Sequence, residues 1–174
     1  RLEVSVAKGG YDAYSQRLQF RNRPKVGVRV YQQKLQWTRY GATPGRTQSH
    51  PLLRMRPPFR VVWSAPIGLM EFPAVVDADV AFVANYQAQV RALSMRNGKV
   101  AWKRTFGGIM AASPAIDGDN LIVHAMNGHV YVLDRHSGRI RWSYRTGAPI
   151  ESSPLSEKPA HGISPPNSSA WAVR

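Results

Sequence analysis

Apolar and polar positions in the second half of the chain fall into short, strand-sized blocks divided by glycine-bearing turns. The clearest series begins at Asp119-Asn120-Leu121-Ile122-Val123-His124-Ala125, an apolar and β-branched run that predicts a buried strand. Asn127-Gly128 follows, the residue pair that supplies positive φ angles to a two-residue hairpin turn. His129–Asp134 predicts the paired strand and Ser137-Gly138 the next turn. Arg139–Arg145 then alternates polar and apolar residues with the period of a strand. Thr146-Gly147 closes that strand, Asp117-Gly118 makes a turn ahead of the buried one, and Ile150–Leu155 begins a new series. Four strands are therefore expected in each stretch of about forty residues. The i, i+3, i+4 spacing that a helical repeat requires does not run through these segments.

The series recurs. Trp63, Trp102 and Trp142 lie 39 and 40 residues apart, and Gly98 and Gly138 each stand four residues before a tryptophan. Val90 and Val130 stand twelve before, and Pro114 and Pro154 twelve after, with Phe72-Pro73 as the corresponding piece behind Trp63. Each position has a structural task. Glycine provides the left-handed residue of the turn. Tryptophan is large enough to seal one unit against the next, with its indole N–H directed at a backbone carbonyl. The repeat positions Trp63, Gly98, Trp102, Pro114, Gly128, Asp134, Gly138, Trp142 and Pro154 are accordingly read as packing and turn residues, not as ligand-binding ones.

The run Val132-Leu133-Asp134-Arg135-His136-Ser137-Gly138-Arg139-Ile140-Arg141-Trp142 resembles the A-x-D-x-x-T-G-x-x-x-W docking motif of the quinoprotein β-propeller family, whose enzymes use pyrroloquinoline quinone (PQQ). Ala92–Trp102 is a weaker copy, with Ser94 in place of the aspartate. Ser113-Pro114, Ser153-Pro154 and Asn127–Asp134 are similar to the same family, so the resemblance covers residues 60–155. Trp37-Thr38-Arg39-Tyr40-Gly41, Arg46-Thr47 and Arg56–Trp63 look like the lead-in segment of some bacterial members. The resemblance implies an all-β fold of propeller blades, each of four antiparallel strands, with about two to three blades in this chain. It also implies two kinds of function. Some members are periplasmic alcohol or sugar dehydrogenases that hold PQQ and calcium on the propeller axis. Others lack the cofactor and act as envelope scaffolds. A third setting is a sensor domain attached to a bacterial protein kinase.

Charge divides the chain. Of its 24 Lys/Arg and 10 Asp/Glu, 13 and 2 fall within residues 1–60, an excess of +11 against +3 for the remainder. The expected organisation is a basic N-terminal arm and lead-in segment over residues 1–59, propeller repeats forming an incomplete ring over 60–155, and a disordered Pro/Ser-rich tail over 156–174. The arm suits an anionic surface through long-range attraction, with no sign of specific nucleic-acid recognition. Within it, Val26–Gln32 has the makings of a strand. A chain that opens on Arg1 and loses its repeat after Leu155 is expected to be a segment of a longer protein. Its longest apolar runs, such as Val80–Asn85, are far short of a membrane span, and no signal peptide is visible.

The residues that carry chemistry are sparse. With no cysteine there is neither a disulfide nor a thiolate metal site. His50, His124, His129, His136 and His161 form no metal-binding spacing; His124 and His129 are placed to face each other across a hairpin, and all five are expected to be satisfied or solvent-facing. No phosphate loop, nucleophile elbow or dinucleotide fingerprint occurs. The acids of the repeats are Glu71, Asp77, Asp79, Asp117, Asp119, Asp134 and Glu151, and most sit in turns, where aspartate belongs. Glu71 and Glu151 occupy similar places before Pro73 and Pro154, on the strand nearest the channel, and Glu151 is the one candidate there for a cation. A dehydrogenase of the family would need an aspartate base and several oxygen ligands. The sequence thus predicts a non-catalytic segment that binds proteins or further blades, outside the cytoplasm at a bacterial envelope, with no cofactor. PQQ with calcium is the alternative.

Overall fold

A computed structural model describes residues 2–6, 9, 14–18, 35–43, 45–50, 52–156 and 171–172. Val26–Gln32 and most of the expected disordered tail lie outside the described residues. The described elements are all strands apart from isolated turns. At the N-terminus β1 (Leu2–Val6) pairs antiparallel with β2 (Tyr14–Leu18). This hairpin was not among the expected elements, although Leu2-Glu3-Val4-Ser5-Val6 alternates with period two.

The repeats form two antiparallel sheets. After β3 (Gln36–Trp37), the first blade consists of β4 (Val75–Asp77), β5 (Val80–Ala84), β6 (Gln89–Ser94) and β7 (Val100–Thr105). The second consists of β8 (Ala115–Asp117), β9 (Asn120–His124), β10 (His129–Asp134) and β11 (Ile140–Arg145). Each is a meander in which consecutive strands are neighbours, and β3 adds a fifth strand to the free edge of β4. β12 (Leu155–Ser156) opens the third unit and pairs with β13 (Trp171–Ala172), which lies within the segment read as tail. The two blades even share an irregularity. Both slip register in the third strand, between Ala92 and Leu93 and between Val132 and Leu133. This is the four-stranded, all-β blade architecture that the turn spacing predicts.

Burial explains why each strand has its composition. β5 and β9 are buried along nearly their whole length, because both faces of each sheet are covered. β6 and β10 show the same alternating burial, whereas β7 and β11 are largely exposed. One core fills the seam between the blades. Phe82, Ala84, Val90 and Ala92 of the first sheet meet Ile116, Leu121, Val123 and Leu133 of the second. Each fully buried large side chain there contributes about 1.5–3 kcal/mol of transfer free energy. A second cluster (Ala115, Ile122, Val130, Val132, Ile150) lies on the far face of the second blade, and a third (Ala81, Val83, Leu93) on the near face of the first. The first strands β4 and β8 are three residues long, and the last strands β7 and β11 are six.

Candidate functional site

The chemistry of the chain is concentrated at the seams. Gly98 and Gly138 sit at φ +69° and +68°. The tryptophan that each receives comes from the preceding unit. The Trp63 indole lies over Gly98 and that of Trp102 over Gly138, so closely that a Cβ added to either glycine would stand 2.6 Å from the ring. Trp63 Nε1–H donates to the Met95 carbonyl at 2.7 Å and Trp102 Nε1–H to the Arg135 carbonyl at 2.8 Å. Arg104 Nε–H donates to the Gly138 carbonyl at 3.0 Å. Trp142, at the same place on β11, is 42% exposed, beside Ile140 at 52% and Tyr144 at 63%.

Asp134 shapes the turn that holds Gly138. Its Oδ1 accepts from the N–H groups of His136 and Ser137 and from the Ser137 hydroxyl, while Arg141 donates to Oδ2 at 2.5 Å. Burial pushes its carboxyl pKa up, but the Arg141 and Ser137 hydrogen bonds and the nearby guanidinium outweigh this and hold it well below the usual carboxylate range. Ser94 takes this place in the first blade, and its hydroxyl accepts only a longer bond, at 3.3 Å, from the Arg96 N–H.

Two further arrangements escaped the sequence reading. Counted from the strand starts, Pro73 precedes β4 as Ser113 precedes β8 and Ser153 precedes β12, one residue away from the Pro-to-Pro alignment. These equivalent positions bond to one another across the seams. The Ser113 hydroxyl donates to the Pro73 carbonyl at 2.7 Å, and the Ser113 N–H to Ser153 Oγ at 3.1 Å. Pro114 and Pro154 are buried beside this ladder. Both hydroxyls are thereby committed to backbone, and neither faces a base. The other arrangement is a buried ion pair, Asp77 with Arg135 at 2.5 Å, with side chains only 1% and 6% exposed. A cavity of about 100 Å³ beside it is lined by Phe82, Trp102 and His136 among others.

The remaining candidates disperse. His124 opposes Val130, and His129 opposes Arg145, so the two imidazoles do not face each other. Nor is His124 satisfied or solvent-facing. It is 2% exposed and neither ring nitrogen is hydrogen-bonded, because it points into the far face of the second blade, where the first blade has Ala84. Burial lowers its pKa, and the nearby Ser152 backbone offsets this only in part. His129 stacks on Tyr131, and His136 meets Asp119 at 3.1 Å. His161 lies outside the described residues. Gly128, at φ +82°, packs against the Ala148 carbonyl. Glu71 and Glu151 are both exposed and lie in the loops ahead of β4 and β12, not on the inner strands where the sequence reading put them.

The described residues show no cluster of carboxylates that could hold calcium beside PQQ. Oxygen-ligand sites need several converging donors, and no group of three His, Cys, Asp or Glu occurs among the described residues. Asp77, the acid on the first inner strand, is buried in the seam against Arg135, and the edge of that strand is taken by β3. No helix among the described residues is long and apolar enough to cross a membrane.

Comparison with known proteins follows these features. The family model described as outer membrane protein assembly factor BamB matches residues 35–170. No curated protein matches the chain. Among solved structures, quinohemoprotein alcohol dehydrogenase ADHIIG from Pseudomonas putida HK5 is 19% identical with a TM-score of 0.56, over 64% of this chain and 19% of that one. The quinohemoprotein alcohol dehydrogenase from Comamonas testosteroni is 16% identical with a TM-score of 0.51, over 64% and 19%. BamB from Moraxella catarrhalis is 24% identical with a TM-score of 0.44, over 55% and 30%. The chain thus spans less than a third of the length of these structures, and its likeness to the dehydrogenases is one of fold.

Proposed function

Because the chain belongs to the quinoprotein-like propeller family whose model is described as outer membrane protein assembly factor BamB, we propose that it is a protein-binding or scaffold segment of an extracytoplasmic propeller. It performs no chemistry of its own. The observation that carries this reading is the contrast among three equivalent tryptophans. Trp63 and Trp102 are seated on the glycine turns of the following unit, and Trp142 offers the same ring on an exposed strand, to a further blade or to a protein partner. On that strand Ile140, Trp142 and Tyr144 alternate with Arg141, Ser143 and Arg145. Exposed aromatic residues and arginines on one strand are the composition that binding surfaces favour. The family's description, as an assembly factor of the outer membrane, favours an envelope location and a protein partner.

Two measurements test the proposal. Affinity capture from a bacterial envelope extract should yield a defined partner with the native chain and lose it with Trp142→Ala. Titration calorimetry with PQQ and calcium should give no heat of binding. A saturable heat with the quinone, together with dye-linked alcohol oxidation, would instead establish the dehydrogenase reading.

A further inference from the structure

The segment ahead of the repeats does more than lead into them. Residues 35–43 and 45–48 bond to three successive units. Gln36 and Trp37 pair with Asp77 and Val76 of β4. The Leu35 carbonyl accepts the Ala78 N–H at 3.0 Å, and the Thr38 carbonyl accepts the Ile116 N–H of the second blade at 2.7 Å. Tyr40 packs edge-on against Phe72 at 5.6 Å. Arg46 crosses over the Tyr40 ring, and its Nη2 donates to the Ser153 carbonyl of the third unit at 3.2 Å.

The same segment is strained. Ala42, Arg46 and Gln48 all have positive φ, at 65°, 51° and 53°, alongside Gly41 at 76°. L-residues hold such angles only when their surroundings over-determine them, and such strain gathers in clamps and switch regions. The turn has no slack. A Cβ on Gly41 would lie 2.5 Å from the Arg46 Cα.

We propose that this segment is a releasable strap. When seated, it closes the inner edge of β4 and ties the first three units together. When released, it bares that edge and the Ala78 and Ile116 amides to another extended strand. An open strand edge is a template for pairing. A strained cover, pairing over only two residues of β4, opens at lower cost than the blades unfold.

The test is amide hydrogen exchange on the whole 174-residue chain. The Ala78 and Ile116 amides should exchange faster than those of Phe82 and Ile122 in the blade centres. Gly41→Ala should speed the first two at least tenfold and leave the centres unchanged. A synthetic peptide of residues 35–48, added to that variant, should restore protection. Arg46→Ala, which keeps the turn intact, should give a smaller change in the same direction. The proposal is overturned if Ala78 and Ile116 exchange no faster in either variant, or if the blade centres lose protection in step with them. Failure of the peptide to restore protection would also overturn it. None of these outcomes depends on Trp142 or on any partner.

Discussion

Gly138→Ala isolates what a seam contributes. Two costs are expected. The residue sits at φ +68°, and an L-residue there costs about 1–2 kcal/mol. In addition its Cβ would lie 2.6 Å from Trp102 Cε3 and 2.7 Å from Cδ2, so the indole must lift from its seat. Lifting it breaks the 2.8 Å bond to the Arg135 carbonyl, worth about 1 kcal/mol, and gives up part of the contact with Phe82 and the seam. The expected loss is about 3–4 kcal/mol. Gly118→Ala is the control. Gly118 has φ +52° but nothing within 4 Å of its would-be Cβ, so only the backbone cost of about 1–2 kcal/mol applies. Urea unfolding followed by far-ultraviolet circular dichroism measures both variants. The expected order is native, then Gly118→Ala, then Gly138→Ala well below. Equal losses in the two variants would refute the claim that tryptophan seating holds the blades together.

Five other outcomes follow from the same structure. Ala78 occupies the place of Gly118 with φ +51°, so Ala78→Gly should raise stability by about 0.5–1 kcal/mol, and a lower urea midpoint would contradict this. Asp77→Ala removes the carboxylate that faces the buried Arg135 guanidinium and should cost about 3–5 kcal/mol. Removal of Asp79, whose contact with Arg96 is exposed, should leave the melting curve nearly unchanged. The folded-state pKa of His124 lies below the ordinary 6.5, so its contribution is complete above the unfolded value and declines as pH falls below it, flattening once the folded value is passed. The urea midpoint should therefore drop between pH 7.5 and 5.5 in the native chain and drop less in His124→Leu; equal slopes would dismiss the assignment. The exposed Ile140, Trp142 and Tyr144 predict self-association, read by size-exclusion chromatography with light scattering, and Trp142→Arg should reduce it.

What the sequence made legible is what it repeats. Asn127-Gly128, Ser137-Gly138 and the run Leu121–Ala125 carry their own turn and strand chemistry, so four strands per unit could be read from residues alone. Contacts used once were not legible. Asp77 and Arg135 are 58 residues apart, and the first unit has Met95 where the second has Arg135, so no spacing announced the pair. His124 stands where the first unit has alanine, and only the fold shows that its side chain enters a dry face. β3 is two residues long, too short for any periodicity. The β1–β2 hairpin did leave a signal, period-two alternation ahead of Gly9-Gly10, which the charge of the arm obscured.

The differences between the two blades also locate where stability comes from. Ala78 and Ala88 hold positive φ in the first blade where Gly118 and Gly128 hold it in the second, at a cost of about 1 kcal/mol each. Ser94 replaces the aspartate that organises the second blade's turn. By its own turns the first blade is the weaker one. It is also the blade with additional cover: β3 on its inner edge, Trp63 on Gly98, and Ile67, Met70 and Ala74 over its near face. Residues 35–74 thus offset local strain with packing, and the second blade has good turns but an exposed outer strand. Loss of the strap or of Trp63 should accordingly loosen the first blade before the second. Trp142 stands on the second blade, whose own turns are the better formed.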